Sequence, residues 1–392
     1  MRELICKGRG CEKMKIGIYT PYLNTYGGGE KYICKIAKTL SEKCNVEFVV
    51  FEELNIPELE RRLNVHLSGV NIKRLKIPKL FNVSKLRFLA KVRLVSKVSK
   101  SYDLFLNQEN HTVIPAYSQR NIHLCQVPPI ASNNFWMCFK EITKNLFFDS
   151  HLKTYSMITV YSHFVEKWVR KYYPQKRVEV LYPPIDTEQF YPLPKENIIL
   201  STGRFFIGGH HKKQFEMIKV FKGLYDENDV LKDWEYHLIG GVSINTGDQE
   251  YLKRCQEEAR GYPIYFHINT SFEVLKALYG RAKIFWHATG LGEDEIKHPE
   301  RMEHFGITTG EAMSAGCVPV VINKGGQPEI VRNMVDGFLW NTTEELKEYT
   351  LKLINNENLW KEMSQRSIKR AQEFNMGKFK ERAEQIFMEV LK

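Results

Sequence analysis

Short apolar runs alternate with helical patterns along this chain, and this alternation restricts its fold more than any other feature. Runs of strand length in the first half lie at residues 15–20, 46–51, 102–107, 121–127 and 156–162. Helical patterns lie near residues 29–42, 84–100 and 162–173. Strands that alternate with helices are typical of βαβ units, in which helices cover a parallel sheet. The first half therefore predicts an α/β domain.

A second alternating series follows a proline-rich passage. Its strand-like runs lie at residues 197–203, 235–241, 264–267, 283–288, 317–322 and 337–340. The paired prolines Pro183 and Pro184 exclude a helix or a central strand, so we expect an interdomain linker at 186–195. The pattern predicts two Rossmann-like, doubly wound domains that face a central cleft. Ligands of such sheets bind outside the carboxyl ends of the strands.

The predicted domain boundaries follow from these patterns. Residues 14–185 form the N-terminal domain and 196–372 the C-terminal domain, and a helix at 373–392 is expected to cross back. Residues 1–13 are polar and basic, and we expect a disordered extension there. No run of about eighteen uncharged apolar residues occurs, so the sequence predicts no transmembrane helix and a cytoplasmic location.

Two loops after predicted strands carry groups that suit a phosphate. Gly28 and Gly29 follow the first strand and open a helix, where free N–H groups favour an anion, although a plain tight turn explains them equally well. Arg204 follows the first strand of the second series, and Lys212 and Lys213 open the next helix. Cations at one strand end would neutralise a diphosphate, and ordinary surface charge is the alternative.

The stretch "EHFGITTGE" places two carboxylates around a glycine loop. Its helix is expected to begin near Thr308 or Thr309, whose hydroxyls suit a cap. The N–H groups around Gly306 and Ile307 would then form an anion site. Carboxylates accept hydrogen bonds from sugar hydroxyls, so the whole arrangement predicts a nucleotide-sugar pocket.

Together with "AMSAGCVPVV" and "GGQPEIV", this stretch resembles the donor-binding block of the retaining GT-B glycosyltransferases of family 4, the glycosyl transferases group 1. The E-x7-E motif of that family matches Glu303 and Glu311. Its arginine and lysine on the donor diphosphate match Arg204 and Lys212, with Lys213 as an alternative. The resemblance extends over nearly the whole chain from residue 14.

The resemblance implies transfer of a hexose from a nucleotide-diphosphate sugar, linked to UDP, GDP or ADP, to an acceptor hydroxyl with retention of configuration. It implies catalytic roles for Glu303, Arg204 and Lys212, and no required cofactor or metal. Glu311 would hold the ribose and Glu303 would face the transferred sugar. The implied donor site consists of Gly28, Gly29, Arg204, Lys212, Lys213, Phe305, Gly306, Ile307, Thr308 and Glu311.

One departure concerns the acceptor side. Relatives that act on lipid-linked sugars often carry a histidine where this chain has Gln126. His123 lies three residues earlier, on the opposite face of the predicted strand, and His111 follows another strand. All three are acceptor-side candidates, and each has a structural role as its alternative. His287 lies on the donor side by topology, with no role assigned.

A basic segment points to an anionic surface. Residues 71–100 contain ten Lys or Arg and no acid, within a net charge of +11. The helix at 84–100 has an aliphatic stripe among its basic residues, so contact with an anionic membrane is one interpretation and a helix packed on the core is the other. Nucleic acid is not predicted, because the stripe is aliphatic and the basic residues lack an interleaved aromatic platform on which bases could stack.

These observations predict a glycosyltransferase of cell-surface glycan or lipid-linked saccharide synthesis, cytoplasmic and peripheral on the membrane. A GT-B relative with other chemistry, such as a nucleotide-sugar epimerase or a sugar-phosphate synthase, is the first alternative. A basic, non-enzymatic protein that binds membrane or nucleic acid is the second.

Overall fold

The computed structural model describes residues 13–78, 84–109, 113–129 and 151–390. They form two parallel sheets covered by helices. The N-terminal sheet consists of β1 (Lys15–Tyr19), β2 (Asn45–Val50), β3 (Val70–Arg74), β4 (Leu104–Asn107), β5 (Arg120–Cys125), β6 (Met157–Val160) and β7 (Arg177–Val180). Its helices are α1 (Gly28–Ser41), α2 (Ile56–Leu63), α3 (Ser84–Ser99) and α4 (His163–Tyr172).

The C-terminal sheet consists of β8 (Glu196–Thr202), β9 (Glu235–Gly240), β10 (Ile264–Ile268), β11 (Ala282–His287), β12 (Val318–Ile322) and β13 (Phe338–Trp340). Its helices are α5 (Gln214–Glu227), α6 (Thr246–Glu258), α7 (Phe272–Arg281), α8 (Ile307–Ser314), α9 (Gln327–Ile330), α10 (Thr343–Ile354) and α11 (Glu357–Ala371). A final helix, α12 (Met376–Val390), follows.

The strand order of both sheets determines where a crevice for a ligand forms. The sheets run β3-β2-β1-β4-β5-β6-β7 and β10-β9-β8-β11-β12-β13, and all their pairs are parallel. In the first sheet, strands β2 and β3 extend to one side of β1 and strands β4 to β7 to the other, so the direction of strand order reverses between β1 and β4. The same reversal occurs between β8 and β11 in the second sheet. Crevices for ligands form at such reversals, at the carboxyl ends of the strands. The predicted pair of doubly wound domains is confirmed.

The last helix returns to the first sheet. Phe379, Ala383, Ile386 and Phe387 of α12 are buried in the same hydrophobic cluster as the strands of the N-terminal sheet. A short turn at Gln372–Phe374 separates α11 from α12, so the tail forms two helices rather than one continuous helix. The prediction that the last helix crosses back to the N-terminal domain is confirmed. The predicted domain boundaries at residues 185, 195 and 372 stay predictions.

Some predictions of local structure are incomplete or wrong. The sequence patterns miss β3, β7 and α2. The helix predicted to start near Thr308 or Thr309 begins one residue earlier, at Ile307, and the residue at its cap is Gly306 rather than a threonine. Residues 1–12, His111 and residues 391–392 lie outside the described residues. Among the helices that the structure describes, none combines the length and apolar character that crossing a bilayer requires.

Candidate functional site

Glu303 lies at the centre of a small polar cluster beyond the ends of β8 and β11. The Lys212 ammonium lies 2.5 Å from Glu303 Oε2, and Nε2 of His287 lies 2.9 Å from the same oxygen. The Nδ1 atom of His287 is 3.2 Å from the amide nitrogen of Gln327. Lys212, from the loop before α5, and His287, the last residue of β11, therefore meet on one carboxylate.

The protonation of this cluster follows from its contacts. Burial raises the pKa of Glu303, but Lys212 and His287 outweigh that effect and hold this pKa well below its usual value. Burial lowers the pKa of His287, so its ring is neutral. Because an amide nitrogen only donates, His287 accepts at Nδ1 and donates its Nε2 proton to Glu303. The cluster thus holds an ionised glutamate and one ammonium.

The two adjacent lysines contact different carboxylates. Lys213 lies 3.1 Å from Glu293, away from Glu303, and it occupies the position before α5 with a φ of 57°. The helix begins at Gln214 rather than at the lysines themselves. Arg204 is exposed, and its guanidinium stacks 5.3 Å from the centre of the Phe206 ring. The structure brings Lys212, not Lys213, to Glu303.

The start of α8 depends on a glycine. Gly306 precedes the helix with a φ of 111°, a left-handed conformation that disfavours side chains. A Cβ atom at Gly306 would also lie 2.9 Å from Nε2 of Gln327. The first N–H groups of α8, beginning at Ile307, have no intrahelical acceptors. This helix start, at Ile307, lies four residues after Glu303, where it offers an anion site.

The Phe305 ring and the Thr308 carbonyl both contact other residues of the protein. The Phe305 ring is buried and packs 5.2 Å from Tyr182 and 5.6 Å from Phe374. These contacts join the E-x7-E loop to the segment before the predicted linker and to the turn between α11 and α12. They do not support a contact between the Phe305 ring and a donor. The carbonyl of Thr308 accepts a hydrogen bond from the Tyr279 hydroxyl at 3.3 Å.

The glycine loop of the N-terminal domain lies against this helix start. A Cβ atom on Gly28 would lie 3.4 Å from Cδ1 of Ile307, and one on Gly29 would lie 2.7 Å from Oε1 of Gln126. The Gln126 amide donates to the Gly29 carbonyl at 3.3 Å. The Gln126 side chain therefore lies against Gly29, and the glycine loop lies between the end of β5 and the start of α8.

The two described acceptor-side candidates lie in different places, Gln126 at the glycine loop and His123 in the core. Gln126 reaches the glycine loop, as described above. His123 is buried, and its ring packs 5.8 Å from Tyr155. Burial lowers the pKa of His123 to about 4, so it is a neutral core residue near neutral pH. Since His111 lies outside the described residues, Gln126 is the described candidate that contacts the cleft.

Glu311 lies one turn inside α8 and is buried. Its side chain is 8% exposed, and Oε1 lies 3.6 Å from the ammonium of Lys31 on α1. Lys31 also lies 2.6 Å from Asp186, the first residue of the predicted linker. The second glutamate of the motif is thus in contact with the N-terminal domain.

Glu329 has a role that its sequence context does not suggest. Its carboxylate accepts hydrogen bonds from the backbone N–H groups of His163 and Phe164, at 2.8 and 2.6 Å, and from the Tyr182 hydroxyl at 2.8 Å. Ser162, the residue before α4, donates to the carbonyl of His304. Glu329, from the C-terminal domain, therefore holds the start of an N-terminal-domain helix.

Sequence reasoning misses several of these contacts. Gln327, Lys31 and Asp186 carry no role assigned from the sequence. Gln327 stands in a glycine turn that follows a buried strand, and this position is a usable signal because ligands bind at strand ends. Lys31 and Asp186 give no local signal, since their partners are far away in the chain. Among the described residues, no group of three or more His, Cys, Asp or Glu could hold a metal ion, and the expected independence from metal stays a prediction.

Comparison with known proteins gives a family for the second half of the chain. Residues 186–373 match the model of the family described as glycosyl transferases group 1. The chain is 24% identical, over 275 residues, to a GDP-Man:Man(3)GlcNAc(2)-PP-Dol alpha-1,2-mannosyltransferase of Dictyostelium discoideum. That match covers 64% of this chain and 51% of the relative, so the chain spans about half of that protein's length.

Two further proteins resemble most of the chain. The alpha-1,3/1,6-mannosyltransferase ALG2 of Candida glabrata is 24% identical over 369 residues, which cover 82% of this chain and 78% of that protein. The crystal structure of a glycosyltransferase from Rickettsia africae superposes with a TM-score of 0.70 at 17% identity, covering 97% of this chain and 99% of the other. At that identity, the structural likeness shows the fold, which is GT-B.

Proposed function

Given that residues 186–373 belong to the glycosyl transferases group 1 family, we propose that the chain is a retaining hexosyltransferase. It moves a hexose from a nucleotide-diphosphate sugar to an acceptor hydroxyl. The observation that carries this proposal is the contact of Lys212 and His287 with an ionised Glu303, four residues before the start of α8.

The chemistry of this cluster suits departure of a diphosphate. Negative charge grows on the leaving group, and a fixed ammonium and the free N–H groups of a helix start stabilise it where it develops. Lys212 supplies the ammonium, and α8 supplies the N–H groups at Ile307. Arg204, exposed at the end of β8, supplies a bidentate partner for phosphate oxygens. The acceptor hydroxyl attacks on the side from which the diphosphate leaves.

Glu303 faces the transferred sugar in this proposal. Its ionised carboxylate accepts hydrogen bonds from sugar hydroxyls, and His287 fixes its orientation by donating from Nε2. The neutral state of His287 leaves the cluster with one positive and one negative charge before the donor arrives. An anionic donor therefore gives Lys212 a second negative partner.

The relatives suggest the donor and acceptor classes. The Dictyostelium protein is named for GDP-mannose and a dolichol-linked acceptor, and the Candida protein is named as a mannosyltransferase. We propose GDP-mannose as the first donor to test and a lipid-linked saccharide as the acceptor class.

The donor site predicts a selective thermal shift. A ligand that binds only the folded protein raises its melting temperature by mass action. We expect one of GDP-mannose, UDP-glucose and ADP-glucose to stabilise the wild type by a few degrees at millimolar concentration, and Glu311→Ala to lose most of this shift. A wild-type protein that responds to none of these sugars would contradict the proposal.

A product assay separates the proposal from its closest enzymatic alternative. A transferase releases nucleoside diphosphate in proportion to the glycosylated acceptor that it forms. Formation of a free epimer without any acceptor would identify an epimerase instead.

Helix α3 supports a peripheral membrane location. Val95, in its C-terminal half, is buried in the N-terminal core, whereas Leu86, Phe88 and Leu89 in its N-terminal half are 46%, 44% and 60% exposed. These apolar side chains lie in the basic segment, and Arg87 stands among them. Exposed apolar residues among cations fit an anionic lipid surface, and we propose that this half of α3 binds one.

Vesicle flotation tests this surface. We expect the wild type to float with vesicles that contain phosphatidylserine, and the double substitution Leu86→Ser and Leu89→Ser to weaken binding about tenfold or more through lost apolar burial. Ile296→Ser removes a side chain that is 73% exposed on the C-terminal domain, and we expect it to bind as the wild type does. Absence of wild-type flotation even at low salt would rule out the membrane surface.

A further inference from the structure

Four charged side chains meet where the two domains and the linker join. Lys31 and Lys35 lie on α1 of the N-terminal domain, Asp186 begins the linker passage, and Glu311 lies on α8 of the C-terminal domain. Asp186 contacts both lysines, and Lys31 also contacts Glu311. We name these four residues the interdomain charge cluster.

The interdomain charge cluster is buried and electrically balanced. The exposed fractions of its side chains are 15% for Lys31, 7% for Lys35, 13% for Asp186 and 8% for Glu311. Burial lowers the pKa of Lys31, but Glu311 and Asp186 outweigh that effect and raise it, so Lys31 is charged. Since removing one partner of a buried ion pair leaves the other charge uncompensated, each member depends on the others.

Lys31 is the member that reaches Glu311. Its ammonium lies between Asp186 at 2.6 Å and Glu311 at 3.6 Å, while Lys35 contacts Asp186. Burial raises the pKa of Glu311, and Asp186 adds to this, whereas Lys31 and Lys35 lower it. Tyr279, on α7, is the other titratable group that faces Glu311. Lys31 is thus the nearest cation that favours the ionised form of this carboxylate.

We propose that Lys31 is a positioning residue for Glu311, so that donor affinity depends on a side chain of the N-terminal domain. The inference rests on the proposed function and on the role that the family resemblance implies for Glu311, which is to accept hydrogen bonds from the ribose hydroxyls of the donor. A carboxylate in contact with an ammonium keeps its charge and its orientation, and both favour that acceptor role. The N-terminal domain then contributes to donor binding through Glu311.

The alternative is that Lys31 only fastens the two domains together. Both roles lower stability when Lys31 is removed, so stability does not distinguish them. A positioning role predicts two further properties of the loss in nucleotide affinity. The effect must depend on the ribose hydroxyls, and it must change the pH at which affinity is lost.

The experiment compares nucleotides with and without ribose hydroxyls. GDP and its 2′,3′-dideoxy form, or the UDP pair if UDP-sugars give the thermal shift, are titrated into the full chain from pH 5 to 8.5. We expect Lys31→Met to weaken binding of the ribonucleotide about tenfold at pH 7. The dideoxynucleotide should lose less than about threefold, since it lacks the groups that Glu311 accepts from.

The pH dependence has a definite sign. Protonation removes an acceptor from Glu311, so ribonucleotide affinity falls as the pH falls through the pKa of that carboxyl. Without Lys31 this pKa rises further, and the midpoint should move upward by about one pH unit or more. Lys31→Arg keeps the charge and should restore most of the wild-type midpoint.

Lys35→Met is the matched control, because it removes the same charge from the same cluster without removing the side chain that contacts Glu311. We expect a clearly smaller midpoint shift from it than from Lys31→Met. If Lys31→Met does not fold, Lys31→Gln takes its place. Equal losses for both nucleotides, or equal midpoints for the two lysine variants, would overturn the inference while leaving the proposed function intact. If the wild type bound no nucleotide, both the inference and the proposed function would be contradicted.

Discussion

Lys212→Met is expected to lower kcat for sugar transfer by about 10²–10³-fold. Lys212 is the ammonium in contact with Glu303, and in the proposed reaction it stabilises the charge that grows on the leaving diphosphate. Methionine keeps much of the length of the side chain and removes its charge. Steady-state kinetics with the donor that gives the thermal shift, with product detected by mass spectrometry, would measure the loss.

Lys213→Met provides the comparison that decides between the adjacent lysines. Lys213 contacts Glu293 instead of Glu303, so we expect its removal to change kcat less than about fivefold. A larger loss in kcat for Lys213→Met than for Lys212→Met would show that the other lysine serves the diphosphate. Equal and small losses would contradict electrostatic stabilisation by this loop.

Phe387→Ala is expected to lower the free energy of unfolding by about 3–5 kcal/mol. Phe387 is fully buried, and it lies in the core of the N-terminal sheet although it stands at the far end of the chain. Truncation removes apolar contacts and leaves a cavity between α12 and that sheet. Urea denaturation would give the magnitude, and hydrogen exchange would show which sheet loses protection.

Glu381→Ala is the control on the same helix. Glu381 is exposed, and its contact with Lys378 at 3.6 Å is a surface ion pair, so the expected change is within about 0.5 kcal/mol. If Phe387→Ala reduced protection only in the C-terminal sheet, the packing of α12 on the first domain would be contradicted.

The architecture is predictable because its strands are buried on both faces. Such strands are continuous apolar runs, as in β12, whose five residues are all buried. The missed strand β3 is an edge strand, and all five residues of its "VNIKR" sequence are partly or fully exposed. Edge strands are often polar or charged, which removes the pattern that identifies a strand. The strand β7 is missed for a similar reason, since it also lies at an edge and alternates charged with apolar residues.

The candidate site is predictable only where it is local in sequence. Glu303 and Gly306 stand together in one loop, and the helix start and buried strand that follow this loop in the sequence indicate a pocket. The contact of Lys31 with Glu311 joins residues that are distant in sequence, and no periodicity encodes such a contact. The predicted helix start is misplaced because threonine hydroxyls usually cap helices, whereas here the left-handed Gly306 turns the chain into α8.

The bonds between Glu329 and the start of α4 have a consequence for motion. The carboxylate accepts from two successive backbone N–H groups that belong to the other domain, and both bonds are lost together if the domains rotate apart. Hydrogen bonds to a charged group contribute about 1.5–3 kcal/mol each, and they weaken steeply when donor and acceptor lose their alignment. When the domains rotate, we therefore expect two discrete states, one with both Glu329 hydrogen bonds formed and one with both broken, rather than a continuous hinge motion.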